Sequence, residues 1–426
     1  MKSLKSVILC SAVSVLLASN ALAAQTDPNV NGKAKVITSV ENKRIFEVKN
    51  TTSNEDRTAK ELKFKDMKSL KQSLKDFDLS DDDITSLGDR AADVAQLAYV
   101  KSLTKDQVKH LKTSIQGHKD AKVVELPVEN GRVIDGEGSH PVSSAYYKMN
   151  PKVSNTQDTT KLDKSTVKTL ANRTDYLGEG TGLHYVVNST FNSWNKASMF
   201  IQFPWAYATT DFFFHYDNNT AQWEENDSPY LMFGKYTSSA GTDIGLVYSR
   251  HRGGWFLFNG GNPYNQPYKW LNPDDTSVPI PTGSDVSLVV TELENALRAD
   301  LYYHNPSNGA WELHPQSTTF NWNTVGYNMG YHSWGAGQFT REHSLAQTAV
   351  DYKSGAYMLG AHEYNVYLYS DSRNVNTKWD GDVSTKHQWD GPADHDRNYV
   401  YPIEGTNYSI YTSYPYYDDQ TNIDYR

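Results

Sequence analysis

A chain of 426 residues, with 21% charged, 38% hydrophobic and 12% aromatic residues, is long enough for two domains or for one large β domain with an added region. Its 41 basic and 50 acidic residues leave a net charge of -9, and no basic stripe stands ready to neutralise phosphates, which speaks against nucleic acid as a partner. No stretch approaches the ~20 apolar residues of a membrane span, and the 29 Tyr and 10 Trp exceed what a core alone requires.

In chain order, residues 1–23 read as a secretory signal. Lys2 and Lys5 precede an apolar run over 7–18, and Ala21-Leu22-Ala23 supplies the small-residue cleavage pattern. The expected location is extracellular or periplasmic, in a bacterium. The only cysteine, Cys10, falls inside that signal, so the expected mature chain has neither a disulfide nor a thiol nucleophile.

Residues 24–138 read as a small helical region, a candidate pro-segment. Ser80 with Asp81, Asp82 and Asp83 forms a capping box ahead of Ile84, Leu87, Ala91, Val94 and Leu97 on one face. Thr104 with Gln107 opens another helix carrying Val108, Leu111 and Ile115, with Gly117 at its end, and Met67, Leu70 and Leu74 give a weaker stripe before both. Asp78, Ser80 and Asp82 also have the spacing that opens a calcium loop, but Asp83 stands where that loop needs Gly. The cap is the better reading.

Residues 139–178, rich in Ser, Thr, Asn, Asp and Lys, read as a linker. From 179 to 372 short apolar runs recur at 183–187, 198–203, 211–216, 230–236, 243–248, 255–258, 286–293, 297–303, 310–313, 357–359 and 365–369. Their spacing, with no helical crossover between them, predicts an all-β, two-sheet antiparallel jelly-roll or concanavalin-like sandwich. In "GTDIGLVYSRHRGGWFLFNGG" Ile244, Leu246 and Tyr248 alternate with Asp243, Gly245 and Val247, so the stretch reads as a hairpin with Arg250, His251, Arg252 and Trp255 at its tip. Residues 373–426 form an aromatic, Asp-rich C-terminal segment, expected to add a strand or two and an irregular tail.

The segment from 330 to 370, with its Ser-Leu-Ala-Gln stretch ahead of a late aromatic strand, and the acid-x-Gly-Leu-x-Tyr strand at 243–248 resemble the secreted bacterial YrpD-type proteins. The resemblance spans roughly 180–372 and implies an exported β-sandwich, with no catalytic residues to carry over. A fainter similarity runs to neprosin-like glutamic peptidases, which implies a carboxylate pair in a sandwich behind an activation segment. Here the hairpin acid is Asp243 rather than Glu, and no second glutamate matches.

The chain lacks a G-x-S-x-G elbow, an H-E-x-x-H helix and a P-loop. Glu292 and Glu294, two apart at a strand end, could place two carboxylates on one face as sandwich glycosidases do, but a solvated turn is the better reading. His314, His332, His343 and His362 read as loop histidines. Asp380, Asp382 and Asp390 lie in an acidic, Gly-containing run that could hold calcium through loop oxygens, and no other cofactor is indicated. Trp255, Tyr264, Tyr268 and Trp270 sit in or near turns, where flat rings can stack on sugar CH groups while Arg250 and Arg252 bond hydroxyls; any single Trp is better read as plugging an end of the sandwich, but burial of all of them is not expected. The expected function is non-catalytic binding of a glycan or cell-envelope polysaccharide. A secreted hydrolase or lyase cutting polysaccharide or peptide is the first alternative, and an extracellular matrix or surface protein the second.

Overall fold

The helical region starts with its caps. The Ser80 hydroxyl accepts from the Asp83 amide at 3.1 Å while the Asp83 carboxylate accepts from the Ser80 amide at 3.1 Å, so donors that a helix start orphans are satisfied locally. Thr104 and Gln107 repeat the device. The computed structural model describes residues 64, 66–121, 123–126, 128–129, 132–134, 139–141, 182–190, 194–208, 216–217, 222–223, 229–236, 241–249, 254–260, 268–271, 280, 285–294, 296–321, 338–346, 355–381, 384–390, 408–414 and 418–426. The expected signal at 1–23 and nearly all of the expected linker lie outside them.

Four helices, α1 (Met67–Gln72), α2 (Asp81–Leu87), α3 (Ala91–Val100) and α4 (Lys105–Gly117), bury Leu70, Leu87, Val94, Leu97, Val108 and Leu111, the stripes visible in the sequence. Their apolar faces do not close on themselves. They share one core with Phe200, Val289, Tyr302, Trp311, Tyr367 and Tyr369 from the β part, because narrow stripes on short helices must be covered by a neighbour.

The strands are β1 (Val123–Leu126), β2 (Val128–Glu129), β3 (Arg132–Ile134), β4 (Ser139–Pro141), β5 (Gly182–Ser189), β6 (Lys196–Gln202), β7 (Trp205–Tyr207), β8 (Tyr216–Asp217) and β9 (Gln222–Trp223). There follow β10 (Pro229–Tyr236), β11 (Gly241–Ser249), β12 (Gly254–Gly260), β13 (Tyr268–Leu271), β14 (Asp285–Leu293), β15 (Ala296–Asn305), β16 (Ala310–Leu313) and β17 (Thr318–Asn321). The last are β18 (Gln338–Ala346), β19 (Tyr357–Ser370), β20 (Val375–Lys378), β21 (Ser384–Asp390), β22 (Tyr408–Tyr414) and β23 (Asp418–Asp424).

Two antiparallel sheets dominate, so the fold is the expected all-β sandwich with a small helical region before it. One has eight strands in the order β1-β13-β12-β11-β10-β18-β5-β21; the other has ten, along β16-β15-β14-β6-β19-β23-β22 with β17, β20 and β7 pairing at its sides. β2, β3 and β4 form a small sheet of their own, as do β8 and β9. Alternate residues of both large sheets meet in the core: Leu231, Ile244, Leu246 and Leu257 from one, Met199, Leu288, Leu301 and Leu368 from the other. The C-terminal segment is part of this sandwich, β21 edging the eight-stranded sheet and β20, β22 and β23 joining the ten-stranded one.

The separate runs at 357–359 and 365–369 prove to be one strand of 14 residues. Its pairing slips between Leu359 and Ala361 and again between Tyr364 and Tyr367, where Gly360 (φ 75°) and Asn365 (φ 49°) take the left-handed conformation of bulge residues. Across the eight-stranded sheet, β10 and β11 approach so closely at Gly245 that a Cβ there would lie 2.4 Å from the Met232 Cα, which is why this strand carries a glycine.

Candidate functional site

Trp255 is the first correction. The hairpin is present as read, pairing Tyr248 with Trp255 and Leu246 with Leu257, but the indole lies in the sandwich core rather than at a rim. It is fully buried and stacks on Phe203 with ring centroids 5.1 Å apart. The alternation that turns Ile244 and Leu246 inward does the same to the residues facing them, and a ring at the strand end follows that rule. Tyr268 and Trp270 belong to β13, where Trp270 takes the register position opposite Phe258; their side chains, and Tyr264, Arg250 and Arg252 altogether, lie outside the described residues.

Glu292 and Glu294 do not form a carboxylate pair. Glu294 is exposed in the turn after β14, whereas Glu292 is buried with its carboxylate 3.3 Å from the Lys235 ammonium. Burial raises the Glu292 pKa and lowers that of Lys235, each opposed by the other's charge. The Lys235 ammonium also donates to the Trp194 carbonyl at 2.8 Å. This reads as a structural pair sealing one end of the core.

The histidines are likewise misplaced by the sequence reading: His314, His343 and His362 are buried rather than solvated. His343 enters a charge network between the sheets. Arg341 of β18 donates to Glu363 of β19 at 2.9 Å and to Asp419 of β23 at 2.6 Å, while His343 bonds Thr421 at 2.6 Å. Burial works to raise the Glu363 pKa, but His343 and Arg341 together outweigh it and hold the carboxyl below its ordinary value. All of these groups project from strands of the two sheets, an arrangement that sets how the sheets face each other, although Arg341 Nε and Glu363 Oε1 have no hydrogen-bond partner.

Among the acidic candidates for calcium, Asp380 is half-buried, Asp382 lies outside the described residues, and Asp390 is in β21 with its side chain outside them. No group of three or more His, Asp or Glu side chains that could hold a metal occurs among the described residues.

Two features remain as candidate sites. The first is on the outer face of the eight-stranded sheet. His184 of β5 and Glu342 of β18 lie on that face, since Tyr185 and His343 turn inward, and their side chains meet at 2.6 Å. Both are buried, and the second carboxylate oxygen of Glu342 has no hydrogen-bond partner. Asp243 lies on the same face, on β11, in register with Gly234 of β10 and Thr340 of β18, one same-face step along the strands from the row of Glu342, Met232 and Gly245. An ionisable oxygen left unpaired in a buried polar stripe is a position for a proton or a hydroxyl to come.

The second is an aromatic ledge that the sequence reading passed over. In "FPWAYA" Trp205 and Tyr207 flank Ala206, so a short extended strand turns both rings to one side and the small residue to the core. They are the large hydrophobic side chains exposed among the described residues, at 36% and 37%. Tyr207 stacks on Tyr357 of β19 with centroids 5.8 Å apart and planes 22° from parallel. The Arg426 guanidinium lies 4.3 Å over the Tyr357 ring and forks onto Asp424 with two 2.8 Å bonds. Exposed rings thus adjoin a fixed, largely covered polar fork. The signal was present: two aromatics separated by one alanine after a proline.

No family model matches the chain, and no curated protein does. Among solved structures, a scytalido-glutamic peptidase bound to a transition state analog inhibitor is 10% identical over 57% of this chain and 98% of its own, at a TM-score of 0.32. SCP-B, a member of the eqolisin family of peptidases, in complex with the tripeptide Ala-Ile-His, is 11% identical over the same shares at 0.33. The Caenorhabditis elegans galectin LEC-6 is 10% identical over 38% of this chain and 88% of its own at 0.19. Similarity at that level assigns neither a ligand nor an activity to this chain.

Proposed function

We propose that this protein is an exported, non-catalytic glycan-binding protein whose polysaccharide ligand lies on the ledge formed by Trp205, Tyr207 and Tyr357. The observation that supports it is the exposure of Trp205 and Tyr207, with Tyr207 stacked on half-buried Tyr357 beside the Arg426–Asp424 fork. Sugars present CH groups that rest on such faces and hydroxyls that bond to such forks.

The test is retention on insoluble cellulose, chitin and peptidoglycan, each compared with Trp205→Ala and Tyr207→Ala. A lost ring contact should weaken retention on the preferred polymer roughly two- to tenfold, the equivalent of about 0.5–1.5 kcal/mol. Both variants should melt within a degree or two of wild type. Unchanged retention in both variants, or none in wild type, would sink the proposal.

The unpaired oxygen of Glu342 favours a second reading, a hydrolase in which that carboxyl exchanges a proton with the substrate while His184 orients it. Cleavage products released from polysaccharide or peptide by wild type and lost in Glu342→Gln would support it. No products from wild type would discard it.

A further inference from the structure

The turn after α3 carries Lys101 to the outer face of the ten-stranded sheet. Lys101 is the C-cap of that helix, Ser102 follows in the left-handed region at φ 52°, and buried Leu103 anchors the turn. The Lys101 ammonium sits among three rings, 5.1 Å from the centroid of Phe200, 5.2 Å from Trp311 and 5.2 Å from Tyr364. It donates to the Tyr364 hydroxyl at 2.6 Å and contacts the Asp285 carboxylate, to which that hydroxyl donates at 3.0 Å.

Every wall of this cage belongs to the sandwich: Phe200 to β6, Asp285 to β14, Trp311 to β16 and Tyr364 to β19. Only the cation comes from the helical region. Three π faces and a carboxylate around one ammonium are the recognition chemistry of a cationic ligand, which elsewhere is an amine or a quaternary ammonium. The cage is also reachable, since the side chains of Lys101 and Asp285 are 16% and 35% exposed.

We propose that Phe200, Trp311, Tyr364 and Asp285 form a binding site for the ammonium groups of an amino-sugar polymer, with Lys101 occupying it as a tethered stand-in until such a polymer displaces it. The polymer follows from competition. A tethered lysine is present at an effective concentration of about millimolar or more, so a lone amine displaces it poorly, whereas a chain bearing many amines re-presents one at every dissociation. The choice of a sugar polymer rests on the glycan reading; the cage itself does not.

The experiment uses the full chain and its Lys101→Ala and Lys101→Gln variants, the second keeping the stem so that packing survives if the first does not fold. Tryptophan emission is followed during titration with ethylammonium, with ethanol as the neutral control, and then with glucosamine and N-acetylglucosamine oligomers. A folded Lys101 variant should take ethylammonium saturably in the millimolar range and ignore ethanol. Adding Asp285→Asn should weaken that at least tenfold, and Trp311→Phe should remove the optical signal. Wild type should bind glucosamine oligomers about tenfold more weakly than the variant, more tightly as the oligomer lengthens, and no response to the acetylated series should depend on Asp285.

A folded variant that does not distinguish ethylammonium from ethanol overturns the cage. Wild type that stays unaffected by glucosamine oligomers at concentrations saturating the variant overturns the displacement. Loss of retention on cellulose, chitin and peptidoglycan, with ethylammonium and glucosamine oligomers still bound, removes the ledge proposal and leaves this one standing.

Discussion

Two buried charge networks in this molecule have similar parts and different attachments. Between the sheets, Arg341, Glu363, Asp419 and His343 all project from strands. Beneath the helices, Arg90 forks onto Asp300 at 2.8 and 3.0 Å, Arg298 bridges Asp300 and Asp89 at 2.8 and 2.9 Å, and Asp93 meets Lys196 at 2.6 Å. Half of that second set, Asp89, Arg90 and Asp93, comes from the helical region. The first network cannot open unless two sheets part. The second can open when a short helical layer lifts, and its burial of ions against a sheet makes it costly to close and inexpensive, relative to the whole fold, to break.

The largest effect should follow from breaking the inner network. Arg341→Met takes the cation from Asp419 and leaves Glu363 with His343 alone, and removing one partner of a buried pair costs about 3–5 kcal/mol. Urea unfolding followed by circular dichroism should show a single transition moved to lower denaturant. A loss below about 1 kcal/mol would mean that the pairs are solvated and that the inner network is no harder to open than the outer one.

An intermediate effect is expected from pH, with opposite signs in two groups at the helix–sheet seam. Burial, only partly offset by Lys196, raises the Asp93 pKa from 3.8 to about 6. Asp89, Asp300, Arg298 and Lys196 supply the charges around it, with Lys196 directly bonded. The docked state therefore holds that proton more tightly than the free carboxyl does, and docking strengthens as pH falls from about 6 to 3.8. Burial, with His118 nearby, lowers His314 from 6.5 to about 3, so the fold loses stability as pH falls from 6.5 toward 3. Each slope is at most about 1.4 kcal/mol per pH unit. Stability measured at pH 7, 6 and 5 should fall less steeply in His314→Asn and more steeply in Asp93→Asn than in wild type. Identical slopes in all three would refute both assignments.

What could be read from the sequence follows the range of the interactions involved. The caps at Ser80 and Thr104, the hairpin of β11 and β12, and the strand at 310–313 were legible because each depends on residues within a few positions of one another. Arg341 with Glu363 and Asp419 was not, because partners 22 and 78 positions apart meet only once two sheets are stacked. The turn beside Trp255 is visible in the sequence and the sheet face that covers the ring is not, which is why a rim position is the local expectation and a core position the outcome. Trp205 and Tyr207 escape the sequence because a three-residue strand falls below the length at which alternation shows; only its pairing with the start of β19, together with the exposure of both rings, places them outward. The Lys101 cage draws its walls from four strands spread over 200–364, which no local pattern unites.

The smallest effect sharpens the comparison most. Ser80→Ala removes the hydroxyl that accepts from the Asp83 amide, a loss of about 1 kcal/mol at a helix start. It touches no strand and no member of either charge network. If the helical layer opens separately from the sandwich, hydrogen exchange in α2 should speed up about fivefold, the rate equivalent of that loss, while amides of β14 and β15 keep their protection. If helices and sandwich open only together, the same substitution should raise exchange equally in β14, β15 and α2. Equal changes would make the two charge networks parts of one cooperative unit, and the helical layer would then be as fixed as the sheets it covers.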